Sequence, residues 1–169
     1  MPSLKALGQM APEAFVAQLG GVFEHSPWVA ERAAKARPFD SIAALHARMV
    51  LAVKNASRDE QLKLLRAHPE LAGKEAQTGT LTDDSTREQR GAGLTNLDAA
   101  EKAQISRLNA DYRAKHGFPF IIAVRNYTRT QIFSEFARRL ANDPETEMLA
   151  CLEQVFTITR LRLEAMITD

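Results

Sequence analysis

His68, Ser85, Glu88 and Gln89 are residues whose side chains could do chemistry, and all four fall in one stretch from His68 to Gly93, HPELAGKEAQTGTLTDDSTREQRGAG. An imidazole exchanges protons near neutral pH, and a carboxylate such as Glu88 can share that work. Gln89 carries a donor and an acceptor in one group. Ser85-Thr86-Arg87-Glu88 also fits a capping box, with Ser85 as N-cap and Glu88 at the third helical position. A helix N-terminus at that place would present N–H groups and partial positive charge to an anion. For His68 the plainer reading is structural, because an imidazole before Pro69 at a helix end interacts well with the last carbonyls. Asp83-Asp84 fits a solvated helix start better than a metal site. His25, His46, His68 and His116 form no local ligand pair and Cys151 is alone, so no metal site is expected. Arg160 and Arg162 read as a solvated helix face, or as guanidinium forks able to hold a carboxylate.

Such groups need a scaffold, and the pattern around them is helical. Pro12 opens a short helix with Phe15, Val16 and Leu19 on one stripe. A second runs from near Trp28 to about Arg37, where Pro38 stops it. Ile42, Leu45, Met49, Ala52 and Val53 recur at helical spacing after Asp40-Ser41. Ser57 with Glu60 forms a capping box for a helix buried through Leu62, Leu64 and Leu65, and Asp98 with Glu101 forms another for a helix carrying Ile105, Leu108 and Tyr112 inward. Thr128 or Thr130 opens a helix with Ile132, Phe133, Phe136 and Leu140 on its face. Asp143-Pro144 starts the last helix, lined by Met148, Leu149, Leu152, Val155, Phe156, Leu163 and Met166. Between two of these helices, residues 118–125 form the most apolar run. It has no partner run for a sheet and reads as a buried extended connector whose N–H and C=O groups are available to a ligand. The fold expected is an all-α single domain over 1–169, a bundle of about seven or eight helices with one long functional loop, His68–Gly93.

Bulk properties remove several classes of function. With 22 basic and 21 acidic residues the net charge is +1, which leaves no electrostatic footprint for nucleic acid or an anionic membrane. No apolar run approaches a membrane span, and the N-terminus MPSLKALGQM has no signal-peptide core. A cytoplasmic protein is expected. Residue types and spacing by themselves lead to a helical protein with a polar loop bearing His and Glu, and do not fix a reaction.

The ordered motifs go further. His68-Pro69-Glu70-Leu71-Ala72, Ser85-Thr86-Arg87-Glu88-Gln89, Ala92-Gly93-Leu94 and the run Tyr112 to Phe120 (YRAKHGFPF) resemble the OHCU decarboxylase family. So do Glu24-His25-Ser26-Pro27-Trp28-Val29 and Arg37-Pro38-Phe39. The match runs in order from about Phe15 to Leu163. The resemblance implies an all-α homodimer that removes CO2 from 2-oxo-4-hydroxy-4-carboxy-5-ureidoimidazoline to give (S)-allantoin in urate breakdown, with no metal or organic cofactor. It implies His68 as the catalytic histidine within the His68-Pro69 motif, with Glu88 sharing the acid-base work. It also implies Ser85, Glu88 and Gln89 as substrate contacts, and Phe120, Ile121, Ile122, Ala123 and Val124 as an apolar wall with backbone contacts. Its late arginine fits Arg162, which Leu163 follows, better than Arg160. The alternative is a non-catalytic small-molecule binding module on the same helical fold.

Overall fold

The computed structural model describes residues 1–168. Among them the chain forms ten α-helices and one 3-10 turn, without a sheet, and no helix is long and apolar enough to cross a membrane. The helices are α1 (Leu4–Gln9), α2 (Pro12–Leu19), α3 (Trp28–Ala34), α4 (Ile42–Lys54), α5 (Arg58–Arg66), α6 (Lys74–Thr78), α7 (Asp83–Gly91), α8 (Ala99–His116), α9 (Arg129–Leu140) and α10 (Pro144–Met166), with the 3-10 turn at Val124–Asn126. The all-α expectation holds, and the helix count rises because short segments too brief for a periodic signal also fold. One is α1, where the Ser3 side chain accepts from the Ala6 N–H at 3.1 Å. Two others, α6 and α7, occupy much of the stretch read as an irregular loop; Gly79, at φ +71°, ends α6 in the left-handed region that glycine adopts freely.

The chain divides into two compact units. The first comprises Met1–Ala67 with the C-terminal stretch from Phe156. Within it α3 packs on both α2 and α4. Phe15, Leu19, Leu45, Met49 and Val53, all expected inside, are buried with Val29, Leu64 and Leu65. Phe15 meets Phe39 at 6.1 Å between ring centroids. The Ser57–Glu60 capping box forms as read. Helix α3 stops at Ala34, short of Arg37, and its last turn tightens: the Ala36 N–H donates to the Ala33 carbonyl at 3.0 Å and Arg37 Nε to the Ala34 carbonyl at 2.7 Å.

The second unit comprises His68–Val155. Its long helix α8 begins with the Asp98–Glu101 capping box and ends at Gly117, at φ +80°. Helix α9, capped by Thr128 with Gln131, packs on α8. Tyr112 is fully buried, in edge contact with Phe118, Phe120 and Phe136, and Phe120 stacks on Phe136 at 3.9 Å. Some burial expectations change: Leu62, Phe133, Leu140 and Met166 are only half-buried. Leu149 is 66% exposed, and α8 turns Asn109 inward with Ile105, Tyr112 and His116 while Leu108 is only half-buried.

Candidate active site

Helix α7 presents Ser85, Glu88 and Gln89 at helical spacing, with Ser85 and Gln89 buried and Glu88 half-buried. Its start differs from the sequence reading. Thr82 is the N-cap, its hydroxyl accepting from the Ser85 N–H at 3.3 Å, so Ser85 lies inside the first turn and does not cap. The Ser85–Glu88 box read from the sequence is displaced by a cap three residues earlier, which sequence reasoning missed. Capping at Thr82 places Asp83 and Asp84 in the first turn, where the helix dipole favours acids.

His68 follows Ala67, the C-cap of α5, and is 7% exposed. Beyond Pro69 the backbone is tied down by side chains. The Gln89 carboxamide accepts from the Ala72 N–H at 2.9 Å and donates to the Glu70 carbonyl at 3.4 Å. Arg113 pairs with the Glu70 carboxylate at 3.2 Å. Gln89, read from the sequence as a ligand contact, is therefore also what joins α7 to the segment after His68. Its oxygen has a second lone pair and its nitrogen a second hydrogen, so these bonds leave capacity for a ligand.

The connector is buried throughout residues 118–124 and has neither helix nor strand before its closing 3-10 turn, as expected. Helix α7 packs against that turn. The connector's anchors fall on alternate residues. Cys151 donates weakly to the Pro119 carbonyl at 3.9 Å, Arg139 donates to the Ile121 carbonyl at 2.7 Å, and the Ala123 N–H donates to the Gln154 side chain at 2.9 Å. In an extended chain successive residues face opposite ways. No hydrogen bond among the described residues engages the backbone of Phe120 or Ile122.

Sequence reasoning missed what holds this connector. Arg139, with its guanidinium 4.4 Å from the Phe120 ring centroid, donates through Nε to Glu147 Oε1 at 2.9 Å and through Nη2 to Cys151 Sγ at 3.3 Å. Tyr112 donates to the same carboxylate oxygen at 2.7 Å, and Asn142 to the other at 2.9 Å. The ion pair is almost sealed, with side chains 4% and 0% exposed. Burial pushes the Cys151 thiol up, which keeps it protonated and unreactive. The only trace in the sequence was Glu147 and Arg139 interrupting otherwise apolar faces.

Of the two late arginines, Arg160 pairs with Glu164 on the exposed surface, whereas Arg162 is 6% exposed. Within the first unit, Arg162 donates to Glu24 at 3.0 Å and to the Val22 carbonyl at 3.1 Å. The solvated-face reading therefore fails for Arg162 and holds for Arg160. Ser26 braces the same turn by donating to the Glu24 carbonyl at 3.0 Å.

The model of the OHCU decarboxylase family matches residues 8–164. A uric acid degradation bifunctional protein of Bacillus subtilis is 41% identical over 169 residues, covering 100% of this chain, which spans only 33% of that protein. A 2-oxo-4-hydroxy-4-carboxy-5-ureidoimidazoline decarboxylase of Haloferax volcanii is 41% identical over 161 residues, 95% of this chain and 94% of the relative. A crystal structure of (S)-allantoin synthase superposes with a TM-score of 0.77 at 32% identity, over 98% of this chain and 54% of that one. With the family pattern matched across nearly its whole length, the chain belongs to the OHCU decarboxylase family.

Proposed function

We propose that this protein decarboxylates 2-oxo-4-hydroxy-4-carboxy-5-ureidoimidazoline to (S)-allantoin in urate degradation, as a carboxy-lyase without a cofactor. The observation that carries this reading is the 41% identity to the Haloferax volcanii decarboxylase across 94% of that protein's length. The substrate supplies its own electron sink. As the C4–carboxylate bond breaks, its electron pair forms a C4=C5 bond and the ring C=N pair moves onto nitrogen, which takes a proton. The resulting enol loses its C4 hydroxyl proton and gains one at C5, leaving the C4 carbonyl of allantoin. The protein has to orient the ring, support the developing charge and deliver the C5 proton to one face.

In this reading His68 and Glu88 share the two proton movements. Ser85 and Gln89 bind polar groups of the ureidoimidazoline, and the Phe120 and Ile122 backbone groups add hydrogen bonds from the apolar wall of Phe120 to Val124. Pro69 limits the approach beside His68. Arg162, fixed by Glu24, holds an anionic or carbonyl oxygen of the ligand through its fork. Residues 1–169 then act as one domain of a cytoplasmic protein, and the family resemblance implies a homodimer; sedimentation at assay concentration tests the dimer.

The experiment adds protein to freshly generated urate-oxidation product and follows (S)-allantoin by circular dichroism. Wild-type protein accelerates its appearance over the spontaneous decay. H68A and E88A each lose about a hundredfold or more in kcat, the usual scale for removing an acid-base group. No acceleration by wild-type protein sinks the activity, and wild-type rates in both variants sink the residue assignment.

A further inference from the structure

Asn109 is an amide in the inward-facing stripe of α8, between Ile105 and Tyr112, and is 5% exposed. Its Nδ2 donates to the Leu71 carbonyl at 2.9 Å, and its Oδ1 is buried without a hydrogen bond. A leucine would fill such a position without an unmet polar atom of its own, a state that costs about 1–3 kcal/mol, but would give up the bond to the Leu71 carbonyl. The bond Asn109 does make is unusually placed. The Leu71 carbonyl and the Ala72 N–H are the two ends of one peptide plane. Asn109 of α8 grips the first, and Gln89 of α7 accepts from the second at 2.9 Å.

That plane is one the chain would not choose unaided. Ala72 has φ +48°, a left-handed conformation that disfavours any residue with a Cβ. The next residue, Gly73, has no room for a side chain, since a Cβ there would lie 2.7 Å from Cβ of Glu70. Leu71 is buried, and Gln89 also donates to the Glu70 carbonyl. The run from His68 to α6 therefore has its direction set at one peptide, held between two carboxamides. Pro69, with its fixed φ, removes one backbone rotation between that peptide and His68.

We infer that Asn109 is a positioning residue, which fixes the Leu71–Ala72 peptide and through it the placing of the His68 imidazole. This rests on the proposed decarboxylation, with His68 moving the proton. A proton-transfer group has to sit within hydrogen-bond reach of its target, and a displacement near 1 Å costs on the order of a hundredfold in rate.

The test is N109L, which removes the donor and also the unmet Oδ1. Its melting temperature stays within a few degrees of wild type, while kcat falls about ten- to a hundredfold. KM changes little, and the enantiomeric excess of (S)-allantoin falls because a misplaced proton donor no longer competes with solvent at one face. N109T, smaller and able to donate a hydrogen bond, retains more activity than N109L and serves in its place if N109L does not fold. Imidazole NMR of the unliganded protein gives a readout free of turnover. The His68 ring signals are sharp in wild type and broadened or shifted in the variant. Wild-type kcat and enantiomeric excess in a folded N109L would overturn the inference, as would kcat losses that merely track the unfolded fraction. If wild-type protein shows no decarboxylation, the activity reading fails by itself, and unchanged His68 signals in N109L would separately overturn the clamp.

Discussion

Replacing Arg139 with methionine tests whether the sealed charge network supports both the second unit and its connector. The substitution keeps approximate bulk and removes three hydrogen bonds at once, to Glu147, Cys151 and the Ile121 carbonyl. Glu147 would remain fully buried, with donors only from Tyr112 and Asn142. Removing one partner of a buried ion pair costs about 3–5 kcal/mol, because the remaining charge has lost both its counter-ion and its water. For a chain of this size each kcal/mol moves the melting temperature by about 2–4 °C, so R139M should melt on the order of 10 °C lower. The assay is thermal unfolding by far-ultraviolet circular dichroism, with E147M and the double variant alongside. R139M/E147M should be no less stable than R139M, since it no longer buries an unpaired carboxylate. The coupling energy should therefore exceed about 1 kcal/mol. At temperatures where R139M is folded, (S)-allantoin formation should also drop, because the Ile121 anchor is gone. A loss under about 1 kcal/mol for R139M, or single losses that add to within about 0.5 kcal/mol, would refute the reasoning.

Two further outcomes follow from local features. T82A removes the side-chain cap of α7 and should lower stability in urea by about 1 kcal/mol. S85A leaves that cap intact, so a larger stability loss in S85A than in T82A would contradict the observed start of the helix. Burial holds the His116 and His46 imidazoles below the ordinary value near 6.5. The unfolded chain then takes up protons at a higher pH than the folded one. The stability from keeping these rings neutral is present above about pH 6.5 and is lost as the pH falls below it. Urea midpoints measured on both sides of that value should decline toward acid. H116F, which keeps a ring beside Tyr112 and Phe118, should decline less, and an unchanged slope would exclude His116 as a source.

Features that depend on neighbours along the chain were legible in the residues alone. The Ser57–Glu60 and Asp98–Glu101 boxes, the Gly117 terminus and the stripe of Leu45, Met49 and Val53 each involve residues within a turn or two of one another. Ordered motifs likewise carried the family, because they fix residue type and order without needing distances. At the start of α7 the sequence pattern points to Ser85 as the cap, and the structure puts the cap three residues earlier, at Thr82. The tertiary structure alone decided which polar residues became partners across long separations. Arg162 meets Glu24, Arg139 meets Ile121 and Glu147, and Asn109 meets Leu71. Nothing local marks Asn109 as different from a surface amide, and the Arg162-Leu163 pattern favoured Arg162 over Arg160 without showing that it is buried against Glu24. Burial removes water from such groups and leaves each requiring a specific partner, and that partner is set by how helices pack.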